Sequence, residues 1–347
     1  MGLLGILLGL GVLVWLSFRG WSVLVLAPAG ALVAAAFAAE PLLAHWTLTF
    51  MGSAAGFIGQ FFPLFLLGAI FGKLMDDCGA VSTIARFMTE KLGPKRAILA
   101  VVLAGAVVTY GGVSLFVAIF VIVPMGQALF RAADIPNRLL PAAVALGTMT
   151  FTMSALPGTP AIQNAIPMPF FGTTPFAAPG IGIIASVIML AFGLWWLARA
   201  EAAARRKGEG FESRRIEGLH EASLADDAFL RERATASHEF DPAELNRGQH
   251  SETAPSPLIA AIPLVVVVAV NILMSFVVLP RMDFSFLAEE RWGSTSLAGV
   301  AGVWSVAVAL AAGTAVLLVL NFRRLPSIRE SMDAGANASV LPLVTVA

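Results

Sequence analysis

Charged residues are scarce in this chain of 347 residues: Asp, Glu, Lys and Arg make up 13%, whereas soluble domains carry about 25%. The 22 basic and 22 acidic residues cancel, so the chain has no net positive charge for holding nucleic acid. The single cysteine, Cys78, excludes an internal disulfide and any site with several cysteine ligands. The chain has instead 58% hydrophobic residues and a mean hydropathy of +0.84, which predicts an all-α polytopic membrane protein in a lipid bilayer.

Apolar runs long enough to cross a hydrocarbon core need roughly 17–25 helical residues. The candidates are residues 2–18, 21–39, 56–71, 181–197, 257–279 and 295–320. Residues 199–256 are rich in charges of both signs and predict a solvated linker. Because Lys and Arg in short loops favour the cytoplasmic side, their distribution predicts that this linker is cytoplasmic and that the protein lies in the inner (plasma) membrane.

Residues 97–130 form an apolar stretch with basic residues at both ends and two adjacent glycines, Gly111 and Gly112, inside it. The arm before the turn is about 20 Å of helix, which is too short to cross. Adjacent glycines favour a turn, so we expect a re-entrant hairpin that enters and leaves on the cytoplasmic side. The rival topology, in which 97–130 crosses once and 139–180 crosses twice, places Arg131 and Arg138 outside.

The stretch 139–180 contains Leu-Pro-Gly-Thr-Pro at residues 156–160, which predicts a broken helix because proline interrupts the helical hydrogen bonds. An interrupted helix within the membrane is tolerated only where protein or a water-filled cavity surrounds its backbone. The N-terminal ends of the half-helices there carry the positive end of the helix dipole and attract anions. The predicted spans contain no charged residue, so an anion would be bound by dipoles and neutral groups. We therefore predict a substrate-binding site formed by Tyr110, Gly111, Gly112, Ser114, Pro157, Gly158, Thr159, Gln163 and Asn164.

Other polar residues have simpler interpretations. Asn271 could line a substrate pathway, but a single Asn within a span more often forms a hydrogen bond to a neighbouring helix. Asp76 and Asp77 could take part in proton coupling, although a cap at the membrane interface is the safer interpretation. Residues 73–96 hold five basic residues and predict an amphipathic helix at that interface, while His45 falls in an outer loop.

Three segments together resemble the gluconate permease (GntP) family of the ion-transporter superfamily. Their sequences are GKLMDDCGA at 72–80, YGGVSLF at 110–116 and LPGTPAIQNA at 156–165. The resemblance implies an inverted-repeat secondary transporter, with a hairpin and a broken helix in each repeat, that takes up gluconate or a related small organic acid with protons. The family departs from this chain in having an acidic residue near the hairpin tip and His-Pro-Gly-Pro at the break.

The resemblance also implies a division of the chain into residues 1–198 as the first repeat, the linker 199–256, and residues 257–347 as an incomplete second repeat. We therefore expect a carrier that does not complete a transport cycle alone. A homo-oligomer is compatible with this expectation. The alternatives are a non-transporting fragment and an intramembrane enzyme. An enzyme would need a nucleophile or a carboxylate pair inside a span, and the predicted spans hold no His, Asp or Glu. No metal ion or cofactor is expected.

Overall fold

The computed structural model describes residues 2–113, 115–211, 251 and 254–347, and every regular element in these ranges is helical. The helices are α1 Gly2–Ser17, α2 Val23–Phe37, α3 Leu42–Asp77, α4 Ala80–Leu92, α5 Ala97–Tyr110, α6 Leu115–Ala132, α7 Leu140–Thr148, α8 Phe151–Ser154, α9 Ile162–Ala165, α10 Pro167–Phe171, α11 Pro179–Arg206, α12 Pro257–Arg281, α13 Leu297–Asn321, α14 Ile328–Ala338 and α15 Val340–Val346. Within the described ranges, four helices (α3, α11, α12 and α13) are long and apolar enough to cross a membrane. The predicted all-α polytopic membrane class is therefore confirmed.

The helices differ in length from the predicted spans. α1 and α2 have 16 and 15 residues, and each stops where the next residues turn: Gly20 and Ala39 have φ values of 87° and 59°. In contrast, α3 has 36 residues and begins well before the predicted start at residue 56. His45 therefore lies in a π-helical turn of α3 and not in a loop, because the helix widens at His45–Phe50 without ending.

The chain divides into two compact units, each with its own helix contacts. In the described part of the first unit, residues 2–65 and 337–347, α1 packs closely on α2. A Cβ atom on Gly9 would lie 2.6 Å from the carbonyl oxygen of Gly30, so glycine is needed for this approach. Small residues that let two backbones approach are a common means of helix association in membranes.

The second unit contains the described residues 66–113, 115–211, 251 and 254–336, and α5 packs against α7 within it. A Cβ atom on Gly105 would lie 2.8 Å from Cγ2 of Thr148, and one on Gly147 would overlap the carbonyl oxygen of Val102. The same unit pairs α12 with α13. Gly105 and Gly147 thus set the distance between the hairpin arm α5 and the helix that leads to the break.

The segment predicted as an interfacial helix over 73–96 has a different local structure. Lys73 belongs to the last turn of α3, while α4 is a separate helix whose apolar residues, including Val81 and Ile84, are buried against α5, α6 and α12. α4 meets the stretch Pro94–Tyr110 at a bend of 99°. The apolar face of this amphipathic helix therefore packs on protein, because three other helices of the unit cover it.

The loop after α6 is bound to the end of α11, where the charged linker 199–256 has already begun. Nη2 of Arg205 donates a hydrogen bond to the carbonyl oxygen of Ala133 at 3.2 Å. Nη2 of Arg138 donates to Oε2 of Glu209 at 2.7 Å. The far end of the 97–130 stretch consequently lies at the same end of the unit as the start of the linker.

Replacement of Gly147 by Ala should separate α5 from α7, because the new methyl group overlaps a backbone oxygen that cannot rotate away. We expect a loss of about 1–3 kcal/mol in the free energy of unfolding, measured as a lower midpoint of thermal unfolding in detergent. Gly180→Ala in α11 is the matched control, since nothing lies within 4 Å of its Cβ position. Equal midpoints for the two variants would contradict the proposed contact.

Candidate functional site

The tip of the hairpin is a tight turn between α5 and α6 that both glycines make possible. Gly112 has a left-handed φ of 96°, and a Cβ on it would lie 3.0 Å from Cγ of Pro160. A Cβ on Gly111 would overlap the side chain of Leu264 on α12. The tip therefore fits against the helix break on one side and α12 on the other because it carries no side chains there.

The break follows α8 and consists of turns at residues 155–158 and a short irregular segment that leads into α9. Gly158 has φ 83°, its N–H donates to the carbonyl oxygen of Pro175 at 2.7 Å, and a Cβ on it would overlap the ring of Phe176. The predicted interruption of residues 139–180 is thus present as a folded loop held by the segment that precedes α11. Proline at 157 and 160 prevents this segment from continuing as a regular helix.

Three successive carbonyl groups of the break each accept a hydrogen bond from a different side chain. Tyr110 Oη donates to the carbonyl oxygen of Pro157 at 2.9 Å, and Asn164 Nδ2 donates to that of Thr159 at 3.1 Å. Asn271 Nδ2 donates to the carbonyl oxygen of Gly158 at 2.9 Å. The donors come from α5, α9 and α12, so the break is fixed by the short helix that follows it and by two helices distant in sequence.

The structure brings together most of the residues predicted for the site. Tyr110, the two tip glycines and residues 157–160 are neighbours, and Thr159 is buried with its Oγ1 accepting the N–H of Ala161 at 3.3 Å. Asn164 also donates to the carbonyl oxygen of Pro175, so its amide holds the loop. Gln163 has an exposed side chain, and Ser114 lies outside the described residues. That these residues bind a substrate stays a prediction.

Asn271 is the residue at the break that the sequence did not assign to the site. Its side chain is fully buried in α12, and its long-range bond is made to the carbonyl oxygen of Gly158 in the broken segment. The helix-to-helix hydrogen bond expected for it is therefore replaced by a bond to irregular backbone. The signal in the sequence was an amide within a strongly apolar span, which is costly unless it is paired.

Several buried oxygens around the tip and the break have no hydrogen-bond partner among the described residues. They are Thr109 Oγ1 on α5, Asn271 Oδ1 and Ser275 Oγ on α12, and Thr314 Oγ1 on α13. Leaving such a group unpaired costs about 1–3 kcal/mol, so water or a ligand commonly satisfies it. These atoms lie on helices of the unit that contains the tip and the break, and they are acceptors or donors that protein groups leave unused.

A buried ion pair lies in the last turn of α3. Nζ of Lys73 is 2.8 Å from Oδ1 of Asp77, and both side chains are almost completely buried. The predicted run 56–71 holds no charged residue, but α3 extends six residues beyond it and carries this pair near its end. Asp77 is likewise no exposed cap, since its carboxylate pairs with Lys73 one helical turn earlier.

Neither a reactive thiol nor a metal cluster accompanies this pair. Burial, with a smaller contribution from Asp76 and Asp77, raises the pKa of Cys78 to about 11, so the thiol is protonated at neutral pH. In the described ranges, no group of three or more His, Cys, Asp or Glu residues could hold a metal ion. The described polar side chains that hold the break, those of Tyr110, Asn164 and Asn271, are neutral hydrogen-bond donors.

Comparisons with known proteins agree on transport. A family model described as citrate transporter matches residues 12–335. The Bacillus subtilis (strain 168) protein named uncharacterized transporter YxjC is 38% identical over 352 residues, which cover 98% of this chain and 70% of that protein. An uncharacterized transporter of Haemophilus influenzae is 29% identical over 145 residues, or 42% of this chain and 32% of that protein. No solved structure matches the chain.

Replacement of Tyr110 by Phe should loosen the break, because it removes the donor to the carbonyl oxygen of Pro157 and leaves that half-buried group without this bond. We expect faster hydrogen exchange of the backbone amides in residues 155–161, measured by mass spectrometry on the protein in detergent. Thr47→Val is the control, since it removes an exposed hydroxyl that bonds within its own helix. Unchanged exchange in the Phe variant would show that the tip does not hold the break.

Proposed function

The chain belongs to the citrate transporter family and is a secondary transporter, and we propose that it couples the uptake of a small organic acid to protons. The substrate class is gluconate or a related acid, citrate included. The family assignment supports a transporter, but it does not support membership in the gluconate permease family that the motifs resemble. The observation that carries the proposal is the folded break of residues 157–160, bound to the hairpin tip by Tyr110.

The surroundings of the tip and the break suit a small anion. The helix α6 of 18 residues begins directly after the tip, and the first N–H groups of a helix have no partner within it and form its positive end. In helices broken at membrane depth, such ends commonly face the anionic group of a substrate. The polar side chains beside them, Thr159 and Asn164, are neutral, and Lys73 is already paired with Asp77.

A cytoplasmic linker and a re-entrant 97–130 stretch are part of the same proposal. The support comes from the ion pair between Arg138 and Glu209, which ties the end of this stretch to the start of the linker. Two segments in direct contact lie on one side of the membrane. The rival topology would put Arg138 and the linker on opposite sides, so this contact favours the hairpin.

Labelling of single introduced cysteines in right-side-out membrane vesicles tests this topology. Lys95→Cys and Ala132→Cys, both at exposed positions, should react with an impermeant maleimide only after the vesicles are opened. Arg291→Cys, in the exposed loop before α13, should react from outside and serves as the control. The native Cys78 is buried and protonated, so it contributes little labelling. Labelling of position 132 from outside would favour the rival topology.

Uptake into proteoliposomes tests the transport function. With acid imposed outside, radiolabelled gluconate or citrate should accumulate, and a protonophore should abolish the accumulation. Such uptake would contradict the expectation, drawn from the resemblance, that the chain does not complete a transport cycle alone. Asn164→Leu should reduce uptake at least about tenfold, because the break loses its donor to the carbonyl oxygens of Thr159 and Pro175. Asn137→Leu, in an exposed turn, should leave it unchanged. Failure of every small organic acid to accumulate would contradict the proposed function.

A further inference from the structure

The orientation of the Asn271 amide is fixed by its partner. A backbone carbonyl oxygen can only accept a hydrogen bond, so the atom of Asn271 that faces the carbonyl oxygen of Gly158 at 2.9 Å must be Nδ2. Oδ1 therefore points away from that bond, and it is buried without a partner among the described residues. The amide oxygen can only accept, so what satisfies it must be a hydrogen-bond donor.

Ser275, four residues further along α12, is unpaired in the same way. A buried hydroxyl in a helix can bond to a carbonyl group in the preceding turn, as Thr148 does to Val144 and Ser186 to Gly182, both at 2.8 Å. Ser275 Oγ makes no such bond among the described residues although it is buried. The Ser275 hydroxyl therefore does not use the carbonyl oxygen of the preceding turn, which is the usual partner of a hydroxyl in a helix.

The helix is irregular at this point. Met274–Val278 forms a π-helical turn within α12, and such turns are rare and frequent at functional sites. The next residue, Phe276, packs its ring against that of Phe176 at 5.3 Å between centroids, and Phe176 in turn covers Gly158. The turn that contains Ser275 therefore contacts the segment that covers the break through Phe276, and Ser275 follows Asn271 by four residues on the same helix.

We propose that Asn271 and Ser275 form a hydroxyl-binding subsite beside the helix break, which makes the protein prefer hydroxy acids to the same acids without the hydroxyl group. The inference rests on the proposed function, because it assigns one part of the substrate of that site. A ligand hydroxyl donates its hydrogen to Asn271 Oδ1 and accepts one from Ser275 Oγ, so both unpaired atoms are satisfied together. A carboxylate cannot do this, since it has no hydrogen for Oδ1.

An acid without the hydroxyl leaves the buried oxygens unpaired, and sites built to hydrogen-bond a hydroxyl reject such analogues strongly. Dissociation constants of the purified protein in lipid nanodiscs should therefore be measured for three pairs: citrate and tricarballylate, malate and succinate, gluconate and hexanoate. For at least one pair, we expect the unmodified protein to bind the hydroxylated acid about tenfold or more tightly than its partner.

Ser275→Ala is the informative variant, because Ser275 Oγ makes no hydrogen bond in the described structure that its loss would break. It should lower the preference for the hydroxylated acid about three- to tenfold and leave the affinity for its partner unchanged. Ser305→Ala is the matched control: Ser305 is also buried, but its Oγ already donates to the carbonyl oxygen of Gly302 at 2.9 Å. The control should keep the preference of the unmodified protein.

The possible outcomes separate this inference from the proposed function. Equal affinities within every pair, or an unchanged preference in Ser275→Ala, would overturn the hydroxyl subsite while the transporter of organic acids remains. Binding of none of these acids by the unmodified protein would overturn both. Asn271→Leu gives a second measurement, since it removes the acceptor together with the bond to Gly158 and should abolish the preference and weaken both acids.

Discussion

The structure depends on satisfying the backbone of the helix break. Inside a membrane, water is not available to pair exposed N–H and C=O groups, so an interrupted helix persists only where protein supplies the partners. Here the carbonyl groups of Pro157, Gly158 and Thr159 receive hydrogen bonds from Tyr110, Asn271 and Asn164. The break is consequently not a loose connection. It is a loop fixed by the hairpin tip, by the helix that follows it and by a span from beyond the linker.

Close helix packing follows from the same requirement. Side-chain donors reach the break only if the tip lies against it, and a Cβ on Gly111 or Gly112 would push Leu264 or Pro160 away. Glycine also lets α5 approach α7, which carries the chain into the break. Small residues at these contacts therefore serve the polar interactions at the centre of the unit, in addition to the packing of helices against each other.

The buried ion pair of Lys73 and Asp77 shows a different arrangement of charge. Removing one partner of such a pair leaves an uncompensated charge at a cost of roughly 3–5 kcal/mol, so each residue requires the other. The pair ends α3 where the N–H of Ser251 donates to the backbone oxygen of Asp77 at 2.9 Å. Among the described residues, Lys73 and Asp77 are the buried charged side chains, whereas the polar side chains that hold the break are neutral hydrogen-bonding groups.

The sequence by itself determined the membrane class, the long spans, the turn at Gly111 and Gly112 and the interruption at Pro157, because hydrophobic length, adjacent glycines and proline act locally. The family assignment, citrate transporter in place of the gluconate permease resemblance, needed comparison of the whole chain. Only the tertiary structure decided that Asn271 binds the break, since its partner is 113 residues away. It also decided that Lys73 and Asp77 are buried, because burial depends on how far a helix continues and on what packs against it. Local patterns specify the elements, whereas hydrogen bonds between distant segments decide which polar residues meet.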